Sequence, residues 1–310
     1  MEKKLDIVRL VAKYLRQFEK KNLLFLLYYS LIESILLSVA PLTSAFIINS
    51  VLAHATVSIY ALSVIVIVIF SLIAFLQVVK EVMIEKFEQK IFVVNAIEIA
   101  KKAAKIEDMD AERIDKYMNY FFDVVSLQKL FPSLFLGGFS LVTKVVVSLV
   151  LLLFFDVAFF VLGVVFMLIF IAVVLFIGRQ GPMRAIKRSD AKHEAIYFIQ
   201  SIPFGKKDGV FKKLDEVLMR FVHARMGLFR IVVRQLALTY FIEGFILAIF
   251  FIVGGYLVFE GMVPIGEFVA TEIIVLMVVN ALKDFMKQID YIYEMIEGLY
   301  KVDKLARELR

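Results

Sequence analysis

The 310-residue chain contains no cysteine, no tryptophan and only three histidines. The first absence excludes disulfides and thiolate metal centres, although it does not diagnose a compartment. The second leaves Tyr28, Tyr29, Tyr60, Tyr240 and Tyr256 as the aromatic anchors for a membrane interface. His54, His193 and His223 are scattered without ligand spacing, so no metal site is expected. A G-x-x-x-x-G-K-[ST] phosphate loop is also missing. Gly205-Lys206-Lys207-Asp208 has neither a Gly-rich turn before it nor a Ser or Thr after it, so the chain itself is expected to hold no nucleotide and to be no enzyme.

Apolar residues are abundant: 61% of the chain is hydrophobic and its mean hydropathy is +0.85, too high for a soluble domain of ordinary make-up. The 21% of charged residues nevertheless requires substantial parts to stand in water. An integral, all-α membrane protein satisfies both observations. The net charge of +6 follows from the positive-inside bias of such proteins and does not point to nucleic acid.

Residues 1–21 read as an amphipathic helix lying in the interface, with Ile7, Val8, Val11, Leu15 and Phe18 on one face. A cleaved signal peptide is not expected, because the following apolar run is too long and lacks a small-residue cleavage site. The six-span domain covers residues 22–285. Its first span is kinked by Pro41 and its second continues as a helix beyond the apolar zone into an excursion, 80–129. Spans three and four meet at a tight turn around Asp156. A second excursion, 179–234, breaks at Ser201–Gly209, and spans five and six form a hairpin through Gly254, Gly255, Gly261 and Gly266. Residues 286–310 form a polar C-terminal helix.

Charge sets the topology. Lys and Arg number seven before the first span, nine in the first excursion, thirteen in the second and six from Lys283 onward, with Lys144 alone inside a span. The three remaining turns hold none. Both termini and both excursions are therefore expected in the cytoplasm of a multi-pass protein of the plasma (inner) membrane.

Six spans, two long helical excursions, the segment Gly254-Gly255-Tyr256-Leu257-Val258 with Gly261-Met262-Val263 and Gly266-Glu267-Phe268-Val269-Ala270, Pro41-Leu42 before Ile47-Ile48-Asn49, and Tyr300-Lys301-Val302-Asp303-Lys304-Leu305 together resemble the transmembrane domain of ATP-binding-cassette (ABC) exporters. The resemblance covers nearly the whole chain. It departs from the family near Asp110 to Tyr117, where the turn is shorter and lacks the usual glycine, and in having no nucleotide-binding domain. It implies a dimer, with an identical or a different second transmembrane subunit, working by alternating access. ATP and Mg would be bound by a separate ATPase subunit, or by a domain lost from or outside this sequence.

The resemblance also implies coupling helices at the excursion tips. The candidates are Ile106, Glu107, Asp108, Met109, Asp110, Glu112 and Arg113 in the first, and Tyr197, Gln200 and Phe204 in the second. Inside the spans, Glu33, Lys144, Glu243 and Glu272 must face the bundle or a cavity, because a bare charge at mid-membrane costs about 2.5–3.5 kcal/mol. They would serve a polar substrate or proton pathway, or pair structurally. Lys144 and Glu272 lie at similar depth and could form an ion pair. The glycines of the last hairpin would shape an outer gate. Two other functions fit the same residues: a motor-less carrier driven by an ion gradient through Glu33, Glu243 or Glu272, and a scaffold or regulatory subunit that transports nothing. A lipid, an amphipathic drug and a hydrophobic peptide all suit a wide apolar cavity.

Overall fold

A computed structural model describes residues 20–103, 137–204 and 209–308. The expected interface helix lies outside these residues apart from its last two, as does the first excursion tip. Every element among the described residues is helical. In chain order they are α1 (Lys20–Leu37), α2 (Val39–Leu52), α3 (Thr56–Ala103), α4 (described over Gly137–Phe155), α5 (Val157–Gly178), α6 (Gly181–Ser201), a 3-10 turn at Ile202–Phe204, α7 (Val210–Phe259), α8 (Ile265–Lys287) and α9 (Ile289–Glu308). Six stretches are long and apolar enough to cross a bilayer, which makes this a multi-pass membrane protein.

Proline determines where two of the spans break. A proline ring clashes with the carbonyl four residues earlier and offers no N–H to it. Pro41 faces Leu37 in this way, and Leu37 is the last residue of α1. The N–H of Ser38 then turns to Ile35 O at 3.1 Å before α2 begins. Pro182 stands in the same relation to Gly178, the last residue of α5, and α6 starts three residues later. The kink in span one thus matches expectation, while Pro182 is the signal that explains why span four does not run on unbroken. Two further ends follow ordinary capping chemistry: Asp156 accepts the Ala158 N–H at 2.7 Å at the start of α5, and Gly261 takes φ +70° in the turn between α7 and α8.

At about 1.5 Å per residue, the 48 residues of α3 and the 50 of α7 are roughly 72 and 75 Å long, against a hydrocarbon core of about 30 Å. More than half of each therefore extends past the membrane at the end opposite the turns around His54, Asp156 and Gly261. Span six is the central helix, since 44% of its apolar window is buried within the chain against 11% for span two. Two apolar layers surround it. Leu152, Phe159, Phe250, Ile274 and Val279 pack near the turns, and Phe170, Leu228, Val232, Leu282 and Met286 pack toward the opposite end. Span one closes on span six where Gly266 meets the Ala45 carbonyl; a Cβ there would lie 2.5 Å from that oxygen.

Candidate functional site

Among the described residues, four sets of polar side chains link different helices. In the first, Lys80 of α3 donates to the Glu33 carboxylate of α1, and Gln77 Nε2 adds a bond to Glu33 Oε1 at 3.4 Å. Glu33 is 3% exposed, so this charge is withdrawn from its surroundings and neutralised by a specific cation. The next residue, Ser34, donates to Thr143 Oγ1 of α4 at 2.8 Å and Thr143 reaches Ser30 O at 3.3 Å, joining spans one and three. Four residues are buried and polar on this stretch of span one: Ser30, Glu33, Ser34 and Ser38.

The second set pairs Glu243 of α7 with Lys283 of α8, both partly exposed. The third centres on Gln235, which is 2% exposed although it carries two polar atoms. Its Nε2 donates to Val174 O at 3.1 Å and its Oε1 accepts from the Tyr293 hydroxyl at 3.1 Å, so one side chain links α5, α7 and α9. Gly178 and Gly181 leave room for this arrangement: a methyl at Gly178 would lie 2.5 Å from Gln235 Nε2, and one at Gly181 would fall within the Tyr293 ring. The fourth set gathers Asp290, Glu294 and Glu297 of α9 around Arg188 of α6, the nearest contact being 3.0 Å to Glu297.

Beside Gln235 and Tyr293 lies a cavity of about 560 Å³ between α4, α5, α8 and α9. Its walls include Val145, Phe170, Val174, Leu282 and Met286, and the one cation on its lining is Arg179. The volume is within the range of small-molecule sites, about 300–1,000 Å³.

The residues expected to matter are distributed unevenly over this framework. Glu33 and Glu243 each sit in an ion pair with a partner that sequence reasoning did not assign. The partners were legible by depth: Glu33 is 20 residues from Ala53 and Lys80 is 24 from Thr56, within a long side chain's reach of one another. The Lys144–Glu272 pairing that equal depth allows does not form among the described residues. Glu272 faces α7 in a narrow cleft with Leu247, Phe250 and Phe251, whereas Lys144 follows Thr143, whose hydroxyl reaches span one. Equal depth did not imply a shared azimuth. Among the described residues neither Lys144 nor Glu272 has an ion-pair partner.

In the last hairpin, Gly254 admits the Phe268 ring, with a Cβ there 2.5 Å from its edge, and Gly266 admits the Ala45 carbonyl; Gly261 supplies the turn. Gly255 has nothing within 4 Å of a Cβ, so no close approach requires it. At the second excursion, Tyr197 lies with its ring 6.3 Å from that of His193, and Gln200 is exposed on the last turn of α6. Phe204 ends the 3-10 turn. Ile106, Glu107, Asp108, Met109, Asp110, Glu112 and Arg113 lie outside the described residues. Among the described residues no group of three or more His, Asp or Glu is placed to hold a metal ion. No family model matches the sequence, and no curated protein aligns with it significantly.

Proposed function

We propose that the chain is the membrane-spanning subunit of an ABC-type exporter, a dimer that alternates access across the plasma (inner) membrane and is powered by a separate ATPase subunit. The observation that carries this reading is the coincidence of length and charge. Helices α3 and α7 extend about 40 Å or more beyond the bilayer on one side, and the two excursions they belong to hold 22 of the 36 basic residues, nine and thirteen. The turns at the other side hold none. Long rigid projections into the cytoplasm from a six-helix bundle suit a protein driven by a soluble motor. Both termini are then cytoplasmic, and the excursion tips, with Ile106–Arg113 in one and Tyr197, Gln200 and Phe204 in the other, are the contact points for the ATPase.

The test is purification of the chain from its native membranes with bound partners retained. A co-purifying protein that carries a phosphate loop, with ATPase activity stimulated when the two are reconstituted in vesicles, is the expected result. A chain that binds no such ATPase and moves solute on a proton gradient alone refutes it. In that event Glu272 becomes the residue to examine, because Glu33 and Glu243 are each held by a lysine and Glu272 is not.

A further inference from the structure

The cavity between α4, α5, α8 and α9 has one polar group on its wall with unused capacity. Gln235 and Tyr293 satisfy each other and Val174 O, as described above. Arg179, an exposed residue of the lining, has no acidic partner among the described residues. The other lining side chains are apolar, apart from glycine and proline backbone. An apolar slot whose lining carries one cation, free of acidic partners among the described residues, is complementary to an amphiphile with an anionic head.

Depth and access identify which amphiphile. Arg179 is 22 residues from the first residue of α5, about 33 Å from the turn end, which places it at the far boundary of a hydrocarbon core of about 30 Å. The lining from Met167 to Arg179 advances 12 residues along span four, about 18 Å, and so covers roughly the thickness of one leaflet up to that boundary. On the α4–α5 side the wall is formed by Val142, Val146, Ile171 and Leu175, which are 57%, 53%, 47% and 68% exposed. These exposures mean that the slot opens sideways into the bilayer, and an acyl chain enters it without crossing water.

We infer that this cavity is a site for an anionic phospholipid of the leaflet opposite the short turns, with one acyl chain between α4, α5 and α8 and the phosphate on Arg179. The proposal requires only that the spans cross a membrane and is independent of the exporter reading. Occupancy would fill a void next to the Gln235–Tyr293 link and so hold the α5–α6 and α8–α9 breaks in register.

The test is native mass spectrometry of the detergent-purified full chain, titrated with palmitoyl-oleoyl phosphatidylglycerol or with the phosphatidylcholine of the same chains. One phosphatidylglycerol should bind about fivefold more tightly than phosphatidylcholine, the weight one basic residue carries against anionic lipid. Arg179→Gln should bring the two lipids to equal affinity. Val142→Trp and Ile171→Trp, at exposed wall positions, should weaken both lipids together. An unchanged preference in Arg179→Gln overturns the proposal even if the Trp variants fold poorly. Displacement by millimolar inorganic phosphate with no effect of the Trp variants overturns it in favour of a simple anion site.

Discussion

Gly266→Ala tests the approach of span six to the backbone of span one, and Gly255→Ala provides its control. A Cβ at residue 266 would meet the Ala45 carbonyl oxygen and Asn49 Oδ1, each at 2.5 Å. The asparagine can rotate away, but the carbonyl belongs to the backbone of α2 and cannot move unless span one shifts from span six. Overpacking of this kind costs about 1–3 kcal/mol. The gain in helix propensity from Gly to Ala, up to about 1 kcal/mol in a helix interior, is smaller in the first turn of α8, so the net effect is destabilising. At Gly255 the same substitution meets nothing within 4 Å and should be neutral or stabilising by up to about 1 kcal/mol. The two variants differ by one methyl each, and their stabilities should differ by roughly 2 kcal/mol. With no Trp in the chain, unfolding is best followed by far-UV circular dichroism in a detergent–SDS titration. Adding Asn49→Ala to Gly266→Ala should recover only part of the loss, because the carbonyl clash remains. Equal midpoints for Gly255→Ala and Gly266→Ala would show that spans one and six do not meet at this residue.

Glu33→Gln strands Lys80 in the bundle and should cost about 3–5 kcal/mol, read as a lowered SDS midpoint, while Glu33→Gln with Lys80→Met should recover most of it. Glu243→Gln should cost much less, because its pair with Lys283 is more exposed. Gln235→Leu leaves the Tyr293 hydroxyl without its partner, removes the side-chain bond to the Val174 carbonyl, and should cost about 1–3 kcal/mol. Adding Tyr293→Phe to it should cost little more, and additive losses would deny the bond between them. Because the chain has no native cysteine, single replacements are unique labels: His54→Cys and Met262→Cys should react with an impermeant maleimide in intact cells, and Phe211→Cys only after permeabilisation.

Much of the helical framework was legible in the sequence because its signals are local. Apolar runs give the spans, Pro41 acts on Leu37 within one turn of helix, and Asp156 caps the residue two ahead. Charge pairing was legible only along the membrane normal. Counting residues from the turns finds that Glu33 and Lys80 share a level, yet the same count brought Lys144 and Glu272 together wrongly, since it carries no information on which way each helix is rotated. Gln235 was not legible at all. Its sequence neighbourhood, Arg230 and Arg234 among Ile231, Val232, Val233 and Leu236, does not say whether it faces the bundle or the outside. Only the packing of α5 and α9 against α7 makes it the link between three helices.

The two longest helices have a mechanical consequence that the shorter ones lack. Spans one, four and six are each jointed, at Ser38, at Arg179–Gln180 and at Gln288, whereas α3 and α7 have no joint between the turn end and their far tips. Each is a stiff lever with about 30 Å in the bilayer and more than 40 Å outside it. A tilt pivoting at the membrane boundary moves the outside tip farther than the buried end. Work done at the tips is thus geared down into smaller, more forceful displacements among the spans, while the jointed helices can bend to accommodate them.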